Sequence, residues 1–510
     1  MSACLRTILP TGAWVRALIV PVLVLVATGI DRNLQTDFWH HLARGRAMTE
    51  RGGLVDADLF TYTVAGQPLR DNNWLTQLLY YRLFQAGGLE LVQLANSLVL
   101  AAMMSLLVYL CWRASRSLLL SSAVGAFTFF GLWQLLIIRP QTFSLLLFVL
   151  LLLVLELAER RHWLLLVPPA ILALWANLHG GFPIGLLLIG ACLLAAAVEA
   201  WRDHGRGMLR DRRLWAMGLC LGASLLATLA NPYGWKVYEY VGVTTGSDAV
   251  HRLDEWLPTG LGTLTGKVWV ASVLLLLVLF ALPGRRPRVR DVCLVVAFLP
   301  LACGSVRMVA WWLLVAAPVT AGLLADRLPR RYLEAEEPER PTVGAALACG
   351  LLLLAAVLSA PSLERFNPVV GTLRPARRTE ADLEAVCARL RERGGAGRVF
   401  SRFEWGEYLS WALAPDGTVF MDGRIEIYPP EVWARYSAVT RGRADWERLL
   451  DGYGVDYLLL DRAGYHHDLL PRVEEAADRW ELVAESGDAV LFARRGAGRA
   501  VARRDAPAKP

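Results

Sequence analysis

The sequence predicts an α-helical polytopic membrane protein of about eleven transmembrane helices, followed by a small extracytoplasmic α/β domain. Three observations carry that expectation. Of the 510 residues, 55% are hydrophobic, against about 45–50% in soluble chains, and mean hydropathy is +0.39. The excess is concentrated between residues 13 and 360, in runs of roughly 15–22 residues, a length that crosses a hydrocarbon core of ~30 Å. The arginines fall in short stretches between those runs, which alternate between rich and poor. The expected organisation is a membrane domain over 1–361 with a long first external loop at 31–90, an extracytoplasmic domain over 362–495, and a disordered tail over 496–510.

In chain order the apolar runs are 13–30, 91–111, 118–137, 141–158, 163–178, 182–200, 214–230, 268–283, 291–304, 308–325 and 343–360. The first lacks a small-residue cleavage site and meets Asp31, so it reads as a retained anchor and not a signal peptide. The run 291–304 is the shortest, and without it everything after would change sides. With the N-terminus cytoplasmic, the inner loops hold seventeen arginines, five of them between Arg202 and Arg213. The outer loops beyond the first hold only Arg139, Lys236, Arg252, Lys267 and Arg307. Basic residues stay on the cytoplasmic side. The chain is therefore expected in the cell (inner or plasma) membrane, multi-pass, with its C-terminal domain outside.

Within the first loop, Asp37–Met48 and Asn73–Phe84 interleave Trp, Tyr and Leu with Arg, as helices lying in the membrane interface do. After residue 361, helix 380–393 precedes the strand patterns RVFS, TVFMD, DYLLLD, ELVAE and AVLFAR, the alternation of a small α/β domain.

Several function classes are excluded. The net charge of +7 does not mark a nucleic-acid binder, because no element presents a continuous basic face. No Walker A or G-x-G-x-x-G sequence follows a strand, which argues against ATP or a nucleotide cofactor. No cytoplasmic segment is large enough to hold a nucleotide-sugar. Only Cys387 falls in the C-terminal domain, and no Cys/His spacing fits a zinc site.

Sorted by predicted depth and side, the polar residues form one external cluster: Asp31, Asp37, His40, His41, Arg139, Asn177, His179, Asn231, Asp254, Glu255 and Arg307. Ionisable groups at membrane depth are costly and mark functional sites. Asp37 and His41 stand four apart and share a helix face, so a carboxylate and an imidazole form a general base with its orienter, or hold a metal, or simply cap and wet an interfacial helix. Asp56-Ala57-Asp58 is formally a DxD, a metal–diphosphate pattern that also starts turns. Arg139 precedes Pro140 and suits a phosphate clamp or an interfacial anchor. His179 precedes two glycines, and Glu255-Trp256 pairs an acid with a ring that could stack on sugar. Asp422, Arg424 and Glu426 follow a strand, where a structural Asp–Arg pair is the simpler reading. His466 and His467 read as surface residues.

The stretches TDFWHHLARGRAM, DLFTYTVAG, NWLTQLLYY, RPQTFS, WANLHGGF, NPYG, DEWLP, WGEYLSWAL and VFMDGRIEIY run in order along nearly the whole chain. In that organisation the chain resembles the GT-C superfamily of polytopic glycosyltransferases, its protein-mannosyltransferase-like and oligosaccharyltransferase branches and a bacterial group above all. The resemblance implies transfer of a sugar, hexosyl or pentosyl, from a polyprenyl-phosphate carrier to a glycan, lipid or protein acceptor on the external face. It implies an essential acid early in the first loop, matched here by Asp37. Many members pair two acids there, whereas Thr36 precedes Asp37 and Asp31 lies six residues earlier, so a divalent metal stays an open possibility and no other cofactor is expected. On this reading Asp37 and His41 are catalytic, and Arg139, His179, Glu255, Trp256 and Arg307 bind substrate. A transporter or flippase is the first alternative, set against mostly apolar span centres and the lack of a repeat. A non-catalytic envelope assembly protein is the second.

Overall fold

Runs of Leu, Val and Ala satisfy their backbone polarity in hydrocarbon only as helices, and helices occupy each apolar run named above. The computed structural model describes residues 10–31, 34, 37–69, 71–246, 254–284, 286–329, 341–361, 363, 378–393 and 397–496. Of the predicted disordered tail, 497–510 lies outside the described residues. Seven helices among the described residues are long and apolar enough to cross a bilayer. They are Gly12–Ile30, Trp74–Ser115, Leu118–Leu135, Gln141–Ala158, Pro183–Arg210, Leu264–Ala281 and Val306–Ala325. His162–Leu178 and Val343–Leu358 are apolar but shorter. Arg212–Ala227 and Val289–Gly304 have 16 residues each, roughly 24 Å of helix. The chain is multi-pass, and length with composition supports seven crossings where eleven runs were expected.

Two compact units divide the chain. One comprises residues 1–33 and 83–374, the other 34–82 and 375–510. The linear boundary expected near residue 361 is thus joined by a second division, which takes most of the first loop into the same unit as the C-terminal residues. Helix Trp74–Ser115 contains the change of unit and breaks at Gly87 and Gly88, whose φ values are −160° and 65°. A positive φ of this kind is open to glycine at little cost, and it separates the predicted loop helix from the predicted span.

The membrane unit packs around an aromatic centre. Phe148 lies 5.5 Å from Phe298 and 5.1 Å from Trp311, and Trp175 lies 6.2 Å from Trp311. Two buried indole N–H groups meet hydroxyls: Trp312 donates to Ser272 Oγ at 2.8 Å and Trp175 to Ser144 Oγ at 2.6 Å. Gln93 donates to the carbonyls of Thr28 and Gly29 at the end of the first helix, at 2.9 and 3.0 Å, satisfying groups the helix cannot.

The second unit holds a five-stranded sheet of β1 (Gly397–Ser401), β2 (Gly417–Val419), β3 (Tyr457–Asp461), β4 (Trp480–Ser486) and β5 (Ala489–Arg494), in the order β2-β1-β3-β5-β4. All five predicted strands are present. β2, β1 and β3 run parallel, while β5 is antiparallel to β3 and β4. The first loop continues the β2 edge: Tyr62 N donates to Val419 O at 3.1 Å and Val419 N to Phe60 O at 3.0 Å. Val64 joins Phe400, Phe420, Leu458, Leu460 and Val490 in the core.

Candidate functional site

In the membrane unit, three short turns bring the predicted substrate residues together. Pro140 sits at the start of helix Gln141–Ala158, where its missing N–H costs nothing, and Arg139 precedes it. Glu255 and Trp256 lie in the turn Asp254–Trp256, and Arg307 in the turn Val306–Met308. Those last two are tied by Ser305 Oγ donating to Glu255 O at 2.9 Å and Val306 N to Leu257 O at 3.1 Å. Arg139 Nη1 meets Glu255 Oε2 at 3.0 Å, and Arg307 Nη1 meets Glu255 Oε1 at 3.0 Å. The Arg307 guanidinium lies over the Trp256 ring at 5.5 Å, a cation–π contact. Burial would raise the Glu255 carboxyl, but Arg307 and Arg139 outweigh it and hold the group below its ordinary range. Glu255 is therefore an anion gripped between two cations.

His179 caps helix Val167–Leu178. Its Nδ1 accepts from Gly181 N at 3.1 Å and lies 2.7 Å from Ser144 Oγ. An Nδ1 that accepts a backbone N–H carries no proton, so Ser144 also donates to it and the ring proton is on Nε2. His179 can thus offer a hydrogen bond to an anion or hydroxyl. Asn177 and Asn231, by contrast, hold turns: Asn177 Nδ2 donates to Ala173 O and Ala230 O, and Asn231 Nδ2 to Thr228 O and Gly234 O.

The opposite helix ends hold more than arginine. Their arginines read as topology charges with no comparable mix of acids, yet Arg288 pairs with Asp291 at 2.9 Å and with Glu156 at 3.2 Å. Arg290 pairs with Glu159 at 2.6 Å and also with Glu156. Glu156 and Glu159 end one helix and the arginines begin another, 131–134 residues on, so no local pattern links them; only Asp291 is a near neighbour of Arg288.

Asp37 and His41 belong to the other unit, in helix Asp37–Arg51. This helix was expected in the interface, with its rings among headgroups. Instead nine of its residues, from Phe38 to Gly45 and Met48, are buried in protein. Trp39 packs on Tyr408 at 5.1 Å and Trp411 at 6.2 Å, while Arg46 lies 4.3 Å over Trp411. Hydropathy registers amphipathicity but not the partner, which arrives more than 350 residues later. His41 Nδ1 faces Gln77 Nε2 at 3.1 Å; Gln77 Nε2 reaches Asp71 Oδ2 at 2.6 Å, which Arg44 Nε meets at 2.8 Å. Gln77, Asp71 and Arg44 had no sequence signal. His40 is buried, which lowers its pKa well below the ordinary value, with Arg424, Arg44 and His41 lowering it further.

The DxD resolves into a turn. Asp58 Oδ2 accepts from Thr61 N and Oγ1 at 3.0 and 2.7 Å, and Asp58 Oδ1 pairs with Arg424 at 2.6 Å. Arg424 also binds both Asp422 oxygens at 2.9 Å, and Tyr428 OH donates to Asp422 Oδ1 at 2.8 Å, so the structural Asp–Arg pair holds. Glu426 is pushed up by burial, with Asp422 and Asp71 opposing Arg424. His466 is fully buried rather than on the surface; burial, then Arg402, brings its pKa to about 3. His467 is exposed, and Cys387 is buried and free. Among the described residues no three His, Cys, Asp or Glu side chains form a group able to hold a metal ion.

No family model matches the chain, and no curated protein matches it. Solved structures do. The archaeal oligosaccharyltransferase AglB from Archaeoglobus fulgidus, in complex with an inhibitory peptide and a dolichol-phosphate, aligns over 87% of this chain and 69% of its own, at 13% identity and TM-score 0.55. Arabinofuranosyltransferase AftD from Mycobacteria aligns over 94% of this chain and 40% of its own, at 16% identity and TM-score 0.56. ArnT from Cupriavidus metallidurans, bound to undecaprenyl phosphate, aligns over 94% and 98%, at 14% identity and TM-score 0.50. At these identities the likeness is one of fold: the chain has the fold of the GT-C glycosyltransferases.

Proposed function

We propose that this protein is a glycosyltransferase that moves a sugar from a polyprenyl-phosphate carrier to a hydroxyl acceptor on the external face of the membrane. The observation that carries the reading is the Glu255 carboxylate held at 3.0 Å by both Arg139 and Arg307, a seat already shaped for an oxyanion. A lipid phosphate presents the same paired oxygens, which arginine grips in a forked geometry. The shared fold adds support, since two of its solved members carry a polyprenyl-type phosphate.

In this reaction Asp37 accepts the proton of the acceptor hydroxyl while its oxygen forms the bond to the anomeric carbon. The bond from that carbon to the carrier phosphate breaks, its electron pair leaving on the phosphate, and the configuration inverts. Arg139 and Arg307 hold the departing phosphate, His179 donates a hydrogen bond from Nε2, and Trp256 stacks on sugar. His41 orients Asp37. All eleven apolar runs span on this reading, which places the C-terminal residues outside.

Asp37→Asn keeps shape but removes the basic carboxylate. Losing a general base costs about 10²–10⁴-fold in rate, with protein level in the membrane unchanged. The measurement is the glycan and lipid-linked sugar profile of cells lacking the protein and complemented with each form. A profile restored in full by Asp37→Asn would sink the catalytic assignment.

A further inference from the structure

We propose that Gln77, anchored by the Arg44–Asp71 ion pair, is a positioning residue that fixes His41 in the tautomer carrying its proton on Nε2. The role rests on His41 acting as the partner of Asp37. The tautomer itself rests on geometry alone.

The chain of inference starts at Asp71, an ionised carboxylate that only accepts. It is 5% exposed and paired with Arg44, itself 3% exposed. Gln77 approaches the same oxygen, Oδ2, at 2.6 Å. An amide oxygen could not sit that close to a carboxylate oxygen, so the Gln77 nitrogen must face Asp71 and the amide orientation follows from the network. That nitrogen also lies 3.1 Å from His41 Nδ1. It has two hydrogens and no lone pair to offer, so it donates one to Asp71 and the other to Nδ1. A neutral imidazole that accepts at Nδ1 holds its proton at Nε2. Gln77 is 1% exposed and His41 9%, which leaves water little room to substitute for either bond.

The backbone is built for this approach. A Cβ on Gly45 would lie 2.2 Å from Gln77 O and 2.7 Å from Tyr81 Cβ. Gly45 stands one helical turn after His41 on the same face. Only a residue without a side chain lets helix Asp37–Arg51 come near enough for His41 to reach Gln77.

The consequence is a division of labour. With Nδ1 occupied and Nε2 protonated, His41 can only donate a hydrogen bond, and so it supports a carboxylate and does not take the acceptor's proton itself. Asp37 then stands as the base of the pair, with Gln77 acting through His41.

The test uses the full-length protein, labelled with 15N-histidine in detergent micelles, the His41 signals being identified by their loss in His41→Gln. Wild type is expected to show a protonated Nε2 and a bare Nδ1. In Gln77→Met, which keeps the length but has no N–H, the ring should become a mixture of tautomers. Product in complemented cells should fall about tenfold, a fraction of what a base contributes. A wild-type ring protonated at Nδ1, or a ring unchanged in Gln77→Met, overturns the proposal. So does a shifted tautomer with full product. Asp37→Asn is run beside it: full activity there removes the catalytic reading while leaving the wild-type Nε2 proton standing, which keeps the two failures apart.

Discussion

Two clusters of arginine and carboxylate cap opposite ends of the same two helices, and they differ in stoichiometry. Arg139 precedes helix Gln141–Ala158 and Arg307 follows helix Val289–Gly304; both meet Glu255. At the far ends of those helices, ~25 Å away at 1.5 Å per residue, Arg288 and Arg290 meet Glu156, Glu159 and Asp291. Counted over described side chains, the first has two guanidinium groups to one carboxylate and the second two to three. The second is internally closed and serves as a tie between helices. The first is, on the proposed function, a cationic seat in which the phosphate of the carrier takes the place of Glu255. A shared residue vocabulary therefore does not mean a shared balance of charge; the ratio of arginine to carboxylate differs between the two.

Breaking the closed cluster should have the largest effect on stability. Arg290 is 11% exposed on its side chain, and Arg290→Met leaves Glu156 and Glu159 short of a counter-charge in a poorly solvated place. Removing one partner of a buried pair costs about 3–5 kcal/mol, so the thermal midpoint in detergent should drop markedly while product per folded molecule stays unchanged. Arg307→Met should do the reverse. Its side chain and that of Glu255 are 23% and 29% exposed, and Arg139 still holds the acid when Arg307 is gone, so folding should lose only about 1 kcal/mol, but product should fall roughly 10–100-fold, the loss of one charge-assisted bond to phosphate. If both variants lose stability equally, the two clusters are alike and the contrast fails.

The smallest effect sharpens it. Glu255→Gln removes the resident acid and should change stability by about 1 kcal/mol or less. Because the Glu255 carboxyl is held below its ordinary range by Arg307 and Arg139, its contribution is fully present above the pKa of an unfolded carboxyl. It is lost only as pH falls through the lower, folded value. Thermal unfolding of wild type and variant should therefore differ by a constant amount between pH 7 and 5, the difference closing only in stronger acid. A difference that already closes by pH 5 contradicts the bridge.

What could be read without coordinates follows from range. Apolar runs and the five strand patterns are local signals, and the helices and sheet appear where those signals lie. Arg139, Glu255 and Arg307 were singled out by sorting residues by depth and side, because topology compresses a long chain into two polar layers, and Trp256 as the ring beside Glu255. Gln77 gave no signal, since its importance comes from Asp71 and His41 on either side of it in space. The DxD offered a metal–diphosphate pattern or a turn for a related reason: Arg424, the partner of Asp58 that accompanies the turn, lies far along the chain. The acids Glu156 and Glu159 were passed over because a helix end tolerates acids without comment.

Thr63 donates its hydroxyl to the carbonyl of Phe420, 357 residues away, beside the point where the first loop borders β2. That distance has a consequence in time. A chain emerging from the ribosome makes the loop first and the strand that it borders some 357 residues later, so helix Asp37–Arg51 must wait for the protein that covers it. Until Tyr408 and Trp411 are made, Trp39 has nothing from the C-terminal residues to rest against; until Val419 and Arg424 follow, Phe60 lacks its backbone partner and Asp58 its cation. Maturation of the proposed catalytic helix is in this sense deferred: the residues after 397 are what first make the loop at 37–69 whole, and a chain stopped short of Tyr408 would carry Asp37 on a helix without its aromatic cover.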